Sequence, residues 1–286
     1  MSELTHDNTV KYLQTDKGKL QYHEAGSGPV LLLIHGSGPG VTGWANFQGN
    51  LPLFSKHFRC LILNLPGYAG SDPVAGHPVM EAVAAVIRFL DGMGVQRCSI
   101  LGNSLGGMVG SHVAAKHADR VEKLIAIGGI GQAIFSSFPA EGINLLVDFV
   151  EDPTRDRLIS WLRSMVYDQN MVTEELIADR LARATTPEAL TTMKQMYSRA
   201  GIAAIAAAAK NPDLPAPSAH FTAIKCPTLL TWGRDDRVSP VDMALLPMRL
   251  IPNCEVHIFP NCGHWVMIER KAEFESAALA FLTRNG

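Results

Sequence analysis

The segment Gly102-Asn103-Ser104-Leu105-Gly106 constrains this chain more than any other. It reads G-x-S-x-G and stands between a β-rich run ending Cys98-Ser99-Ile100-Leu101 and a helical run from Leu105 to His117. A strand that passes through a single serine into a helix must turn sharply. Gly102 and Gly106 leave room for that close backbone approach, and the serine hydroxyl is left projecting above the strand end. The alternative is a glycine-rich β-to-α turn without chemistry, and the rest of the chain bears on that choice.

Further short apolar runs followed by turn residues lie at Pro29 to His35, Arg59 to Leu65, Arg97 to Asn103 and Lys123 to Gly129. They read as buried strands of a mostly parallel sheet. Helical patterns such as Val79 to Asp91 separate them, so the first half alternates strand and helix. Val10 to Gln14 and Leu20 to Ala25 read as an antiparallel hairpin at the sheet edge. From about Gly131 to about Phe221 the pattern is helical, with starts at Asp152-Pro153, Thr173 and Thr186-Pro187, ending in the proline-rich stretch Asn211 to Pro217. Strand runs return at Pro227 to Gly233 and Glu255 to Asn261, and a last helix spans Lys271 to Thr283. The expected plan is an α/β core of residues 1–130 and 222–286 with an inserted helical lid, 131–221.

A serine hydroxyl needs a base to take its proton, and the base a partner to orient it. His264 follows the run Glu255 to Pro260 in Asn-Cys-Gly-His-Trp, and Asp235 and Asp236 follow the run Pro227 to Trp232. The order nucleophile, acid, base is that of α/β-hydrolases. Of the two aspartates, Asp236 has the G-x-x-D-x-x-x-P spacing, three after Gly233 and four before Pro240. Ser104, Asp236 and His264 are therefore the candidate triad, and Asp235 reads as a loop or salt-bridge residue. Backbone N–H groups of Leu105 and Ser37 are placed to stabilise an oxyanion, Ser37 lying in the small-residue loop His35-Gly36-Ser37-Gly38-Pro39-Gly40.

Composition narrows the partners. With 286 residues, 47% of them hydrophobic, the chain can bury one large core carrying an insertion. Its 25 basic and 27 acidic residues leave a formal charge of −2, which supplies no field for nucleic acid or an anionic membrane. A small-molecule substrate is the expectation. The five cysteines form no CxxC pair, so neither a disulfide framework nor a thiolate metal site is expected. A polar N-terminus without a signal-like start, and no apolar run near the roughly 20 residues of a membrane span, give the expectation of a cytoplasmic protein.

Beyond the triad, the chain resembles the meta-cleavage product hydrolases over nearly its whole length. These enzymes of the α/β-hydrolase fold break a carbon–carbon bond in ring-fission products of aromatic catabolism. His35 to Phe47 (HGSGPGVTGWANF) resembles their oxyanion segment, Gly102 to Gly107 their elbow, Trp232 to Arg237 their acid loop and Cys262 to Trp265 their base loop. Pro139 to Ile143 and Tyr167 to Arg180 resemble their lid.

The resemblance implies an eight-stranded sheet with helices on both faces and action on 2-hydroxy-6-oxohexa-2,4-dienoates, with a 6-phenyl substrate of biphenyl or dibenzofuran type first. By resemblance, Arg180 binds the carboxylate, Asn46, Asn103 and Trp265 contact the polar end, and Trp161, Met165 and Val238 line a nonpolar pocket. It also implies self-association and no metal or organic cofactor. Ser37 stands where relatives often carry glycine, and Val238-Ser239 are smaller or more polar than the pair of biphenyl-pathway members. A 6-alkyl dienoate, a carboxylesterase or lactonase with the same triad, and a noncatalytic receptor on the same fold are the other readings.

Overall fold

In the computed structural model, which describes residues 3–211, 213 and 216–284, the apolar runs form one sheet of eight strands. They are β1 (Val10–Thr15), β2 (Gly18–Ala25), β3 (Val30–Ile34), β4 (Arg59–Leu63), β5 (Cys98–Asn103), β6 (Val121–Ile127), β7 (Thr228–Gly233) and β8 (Cys254–Phe259). Their order across the sheet is β1-β2-β4-β3-β5-β6-β7-β8. The hairpin β1–β2 and the β2–β4 pair are antiparallel, and every pair from β4 to β8 is parallel.

The inner strands are apolar along their length because both faces are covered. Leu31, Leu32, Leu33 and Ile34 of β3 are all 0% exposed. Leu31 and Leu33 join the core that includes Phe274 and Phe281 of the last helix, Lys271–Thr283. Leu32 and Ile34 face the opposite core, with Phe89 of helix Pro78–Gly92 and Val109 of helix Leu105–Lys116. Burying each such leucine is worth about 1.5–3 kcal/mol.

Between β6 and β7 the described residues form the α-helices Glu141–Glu151, Arg155–Met165, Glu174–Ala184, Pro187–Tyr197 and Arg199–Lys210. Two start where the sequence predicts, at Thr173 and Thr186, and a third hydroxyl cap, Ser198, lies outside those expectations. Thr173 accepts from the Leu176 N–H, Thr186 from Ala189 and Ser198 from Gly201. Two expectations shift. Residues 131–140 are loop rather than helix, since the Asp242 carboxylate accepts the N–H groups of Ile134, Phe135 and Ser136 and gives this backbone a partner outside any helix. The start expected at Asp152-Pro153 comes later, because Asp152 closes the preceding helix and Thr154 is the cap of the next. Pro212, Leu214 and Pro215 of the proline-rich stretch lie outside the described residues. Among the described residues no helix is long and apolar enough to cross a membrane.

Candidate active site

Ser104 ends β5 and caps helix Leu105–Lys116 with φ 53° and ψ −112°, a left-handed conformation costly for a side-chain-bearing residue. It persists because its surroundings fix it. The Ser104 N–H donates to the Ile127 carbonyl at 2.8 Å. A Cβ on Gly102 would stand 2.2 Å from the Gly106 carbonyl oxygen, and one on Gly106 would stand 2.0 Å from that of Ile34. Backbone thus lies directly on backbone, and only glycine fits.

Asp236 and His264 come from the loops after β7 and β8. His264 Nδ1 and Asp236 Oδ2 are 2.6 Å apart with both side chains almost wholly buried. The other carboxylate oxygen accepts the N–H groups of Val238 and Ser239 at 2.8 Å each, so the loop holds the aspartate in place for its histidine. Asp235 turns away, to Arg234 and the Cys262 N–H. The two glycines after β6 connect the three residues in space: a Cβ on Gly129 would lie 2.4 Å from Ser104 Cα, and one on Gly128 would lie 3.3 Å from His264 Cε1 and 3.5 Å from Asp236 Oδ2. Among the described residues no hydrogen bond joins the Ser104 hydroxyl to His264, a contact that in free enzymes often tightens only with substrate.

The oxyanion candidates meet at the same point. Ser37 and Leu105 are each 4% exposed. A Cβ on Gly36 would lie 3.4 Å from Ser104 Cβ, which puts the loop holding Ser37 beside the elbow. His35 shapes that loop: its Nε2 accepts the Leu65 N–H at 3.0 Å, leaving Nδ1 to donate to the Gly36 carbonyl. Burial pulls His35 down to about 4, helped by Arg180 and opposed by the Gly36 carbonyl, so its ring is neutral near pH 7.

At the expected polar end, Asn46 Oδ1 accepts from the Gly36 N–H at 3.0 Å and from Asn103 Nδ2 at 3.2 Å. Asn46 Nδ2 and Asn103 Oδ1 are buried without partners among the described residues. Arg180 is 3% exposed, yet among the described residues no carboxylate pairs with it. It donates from Nη1 to the Pro39 carbonyl at 3.2 Å, its Nε has no partner among the described residues, and its Cζ stands 5.5 Å from the Trp265 ring centroid. Burial lowers the Arg180 guanidinium to about 10, with Arg183 adding and Asp179 opposing, so it stays charged at neutral pH.

The expected nonpolar residues are buried too. Trp161, Met165 and Val238 are 2%, 5% and 8% exposed. The Trp161 ring abuts Gly38 of the Ser37 loop, and the Met165 carbonyl accepts the His264 N–H at 2.7 Å. Val238 Cγ2 would lie 2.5 Å from a Cβ on Gly142, so this residue touches the first inserted helix. Eleven of the twelve residues singled out in the sequence are thus buried on the elbow, the loops around it or the helices over them, and Ser104 at their centre is half-buried.

Two neighbours escaped the sequence reading. The Tyr197 hydroxyl is hydrogen-bonded to Ser37 Oγ, tying helix Pro187–Tyr197 to the oxyanion loop across 160 residues. Glu269, five residues after His264, accepts N–H groups from Gly263 of the base loop and from Tyr167 of the inserted segment. A carboxylate just past the base motif was the only sequence signal for the second; none marked the first.

Comparison with known proteins agrees with this architecture. The alpha/beta hydrolase fold family matches residues 29–271. The chain is 33% identical to a 2-hydroxy-6-oxo-6-phenylhexa-2,4-dienoate hydrolase of Comamonas testosteroni over 100% of both chains. It is 35% identical to a 2-hydroxy-6-oxononadienedioate/2-hydroxy-6-oxononatrienedioate hydrolase of Pseudomonas putida, over 92% of this chain and 91% of that one. Among solved structures, a meta-cleavage product hydrolase of Pseudomonas fluorescens superposes with TM-score 0.86 at 25% identity, covering 97% of this chain and 98% of its own.

Proposed function

Because the chain belongs to the alpha/beta hydrolase fold family and, within it, to the meta-cleavage product hydrolases, we propose that it cleaves 2-hydroxy-6-oxo-6-phenylhexa-2,4-dienoate-type substrates with Ser104, His264 and Asp236 as its triad. The observation that carries the substrate reading is Arg180. A buried guanidinium without a carboxylate is costly to keep charged, and a substrate carboxylate supplies the partner through charge-assisted hydrogen bonds. The unpartnered Asn46 Nδ2 and Asn103 Oδ1 offer a donor and an acceptor to the neighbouring 2-oxygen.

The C6 substituent falls to the apolar side. Trp161, Met165 and Val238 bring no charge there, which supports a phenyl group over the second carboxylate of the nonadienedioate relatives' substrate. We read residues 131–221 as a lid over the core of 1–130 and 222–286. Self-association rests on family membership alone, and five unpaired cysteines, four of them buried, support a reducing compartment such as the cytoplasm.

In the reaction, His264 assists transfer of the 2-hydroxyl proton to C5, converting the dienol to its keto form. The electron pair of the C5–C6 bond then has a conjugated carbonyl to flow into. The 6-oxo carbon is attacked by Ser104 Oγ, giving an acyl-enzyme that water resolves, or by water directly, giving a gem-diol. In both routes His264 takes the attacking proton, Asp236 holds its tautomer and the Ser37 and Leu105 amides hold the oxyanion. Cleavage consumes one water and yields 2-hydroxypenta-2,4-dienoate and benzoate.

The test is a panel of yellow dienoates with phenyl, methyl and carboxyethyl groups at C6, read by loss of absorbance alongside a nitrophenyl ester. We expect kcat/KM to be highest for phenyl. A folded sample that bleaches no dienoate overturns the reading, and preference for carboxyethyl overturns the apolar side. A higher kcat/KM for the ester than for every dienoate leaves an esterase.

A further inference from the structure

The reaction leaves one carboxylate near His264 without a task. Glu269 ends the short helix Val266–Glu269 that follows the base loop. One oxygen, Oε1, accepts the Gly263 N–H at 2.8 Å, one residue before His264. The other, Oε2, accepts the Tyr167 N–H at 2.6 Å and the Asp168 N–H at 3.3 Å. Residues 167–168 follow helix Arg155–Met165, which carries Trp161 and Met165, after Val166, and lead toward helix Glu174–Ala184, which carries Arg180.

The two segments already touch. A Cβ on Gly263 would stand 2.6 Å from the Met165 carbonyl oxygen and 2.9 Å from Val166 Cα. The His264 N–H to Met165 carbonyl bond adds a second tie. The join is therefore backbone against backbone, closed by one acceptor-only side chain with an oxygen on each side.

An ionised carboxylate is a costly way to build such a join. Among the described residues no cation pairs with Glu269. Burial pushes its carboxyl above the usual range, the Asp236 charge adds to that, and the three amides oppose it. A carboxylate is nevertheless the side-chain group that accepts from two backbone segments at once without presenting a donor to either.

We propose that Glu269 is a positioning residue that locks the His264 loop to the backbone at 167–168, so that the base and the inserted helices carrying Arg180 are held in one register. This rests on the reading of His264 as base. It assigns Glu269 no contact with substrate. Its effect runs through where His264 and the inserted helices sit, and a shift of about 1 Å in a reacting group can cost about 100-fold in rate.

The test compares Glu269→Gln and Glu269→Asp with the parent, using the phenyl dienoate and a nitrophenyl acetate, with circular dichroism and Tm. Glutamine keeps the volume but turns an NH2 toward one set of amide donors; aspartate keeps the charge but is too short to reach both. We expect kcat to fall about 10- to 100-fold on both substrates in the glutamine variant, with unchanged circular dichroism. Dienoate KM should rise at least about threefold, since Arg180 shifts with its helix. The aspartate variant should show the same pattern more weakly, and it carries the test if the glutamine variant does not fold. A lowered Tm with parental kcat and KM overturns the proposal and leaves Glu269 a structural residue. If the parent hydrolyses the ester but bleaches no dienoate, the substrate reading fails while the effect of Glu269 on the base is still read on the ester.

Discussion

Around Ser104 the close contacts are backbone on backbone, whereas around Arg180 one such contact, Gly40 against the Arg180 backbone, is joined by hydrogen bonds that side chains make. At the elbow, glycines at 102, 106 and 129 admit main-chain approaches that no larger residue allows. Over the elbow, Arg180 reaches the Pro39 carbonyl, Arg183 the Gly40 carbonyl and Tyr197 the Ser37 hydroxyl, each through a flexible side chain. The first region holds one geometry because alternatives overlap sterically. Among the described residues the second also keeps buried polar atoms unpartnered, at Arg180 Nε and Trp161 Nε1, and Asn46 Nδ2 and Asn103 Oδ1 add two more beside the elbow. Steric necessity fixes Ser104, and on the proposed function the unmet polarity is what a ligand would satisfy.

The sharpest way to break this contrast is Ser104→Ala. It should lower kcat by at least about 10³-fold while leaving dienoate binding, because the binding groups stand elsewhere. Single-turnover absorbance and a spectroscopic titration read the two effects separately, and parental turnover removes Ser104 from the mechanism.

Gly106→Ala tests the steric half. A methyl group 2.0 Å from the Ile34 carbonyl oxygen cannot be absorbed by a rotamer change, so destabilisation above about 3 kcal/mol is expected in urea unfolding. A parental midpoint would mean that the elbow yields.

The smallest effect tests the polar half. Arg180→Gln should raise dienoate KM about 10- to 100-fold, the value of a charge-assisted hydrogen bond of about 1.5–3 kcal/mol, with little change on a neutral ester. Equal losses on both substrates would make Arg180 a support of the fold instead.

The same contrast explains what could be read in advance. The elbow, the choice of Asp236 over Asp235 and the strands rested on local necessities: a turn needing glycine, a loop spacing, apolar runs covered on both faces. Asp236 indeed lies against His264 while Asp235 faces Arg234. The contacts of Tyr197 and Glu269 were not legible, since they join residues 160 and about 100 apart through single polar atoms and leave no periodic mark. The loop at 131–140 was misread as helix because the carboxylate that organises it, Asp242, lies more than 100 residues further on.

The Gly128-Gly129 step after β6, which lies against Ser104 on one side and the His264–Asp236 pair on the other, also marks how this scaffold can diversify. Any side chain there meets reacting residues or their backbone, so a mutant library at these two positions returns mostly inactive clones. On the proposed function, the same library spread over the inserted helices, away from Arg180 and the 167–168 join, is expected to change which C6 groups are accepted more than it changes the chemistry. On that reading, adaptation to new ring-fission products would be channelled into one segment of the gene.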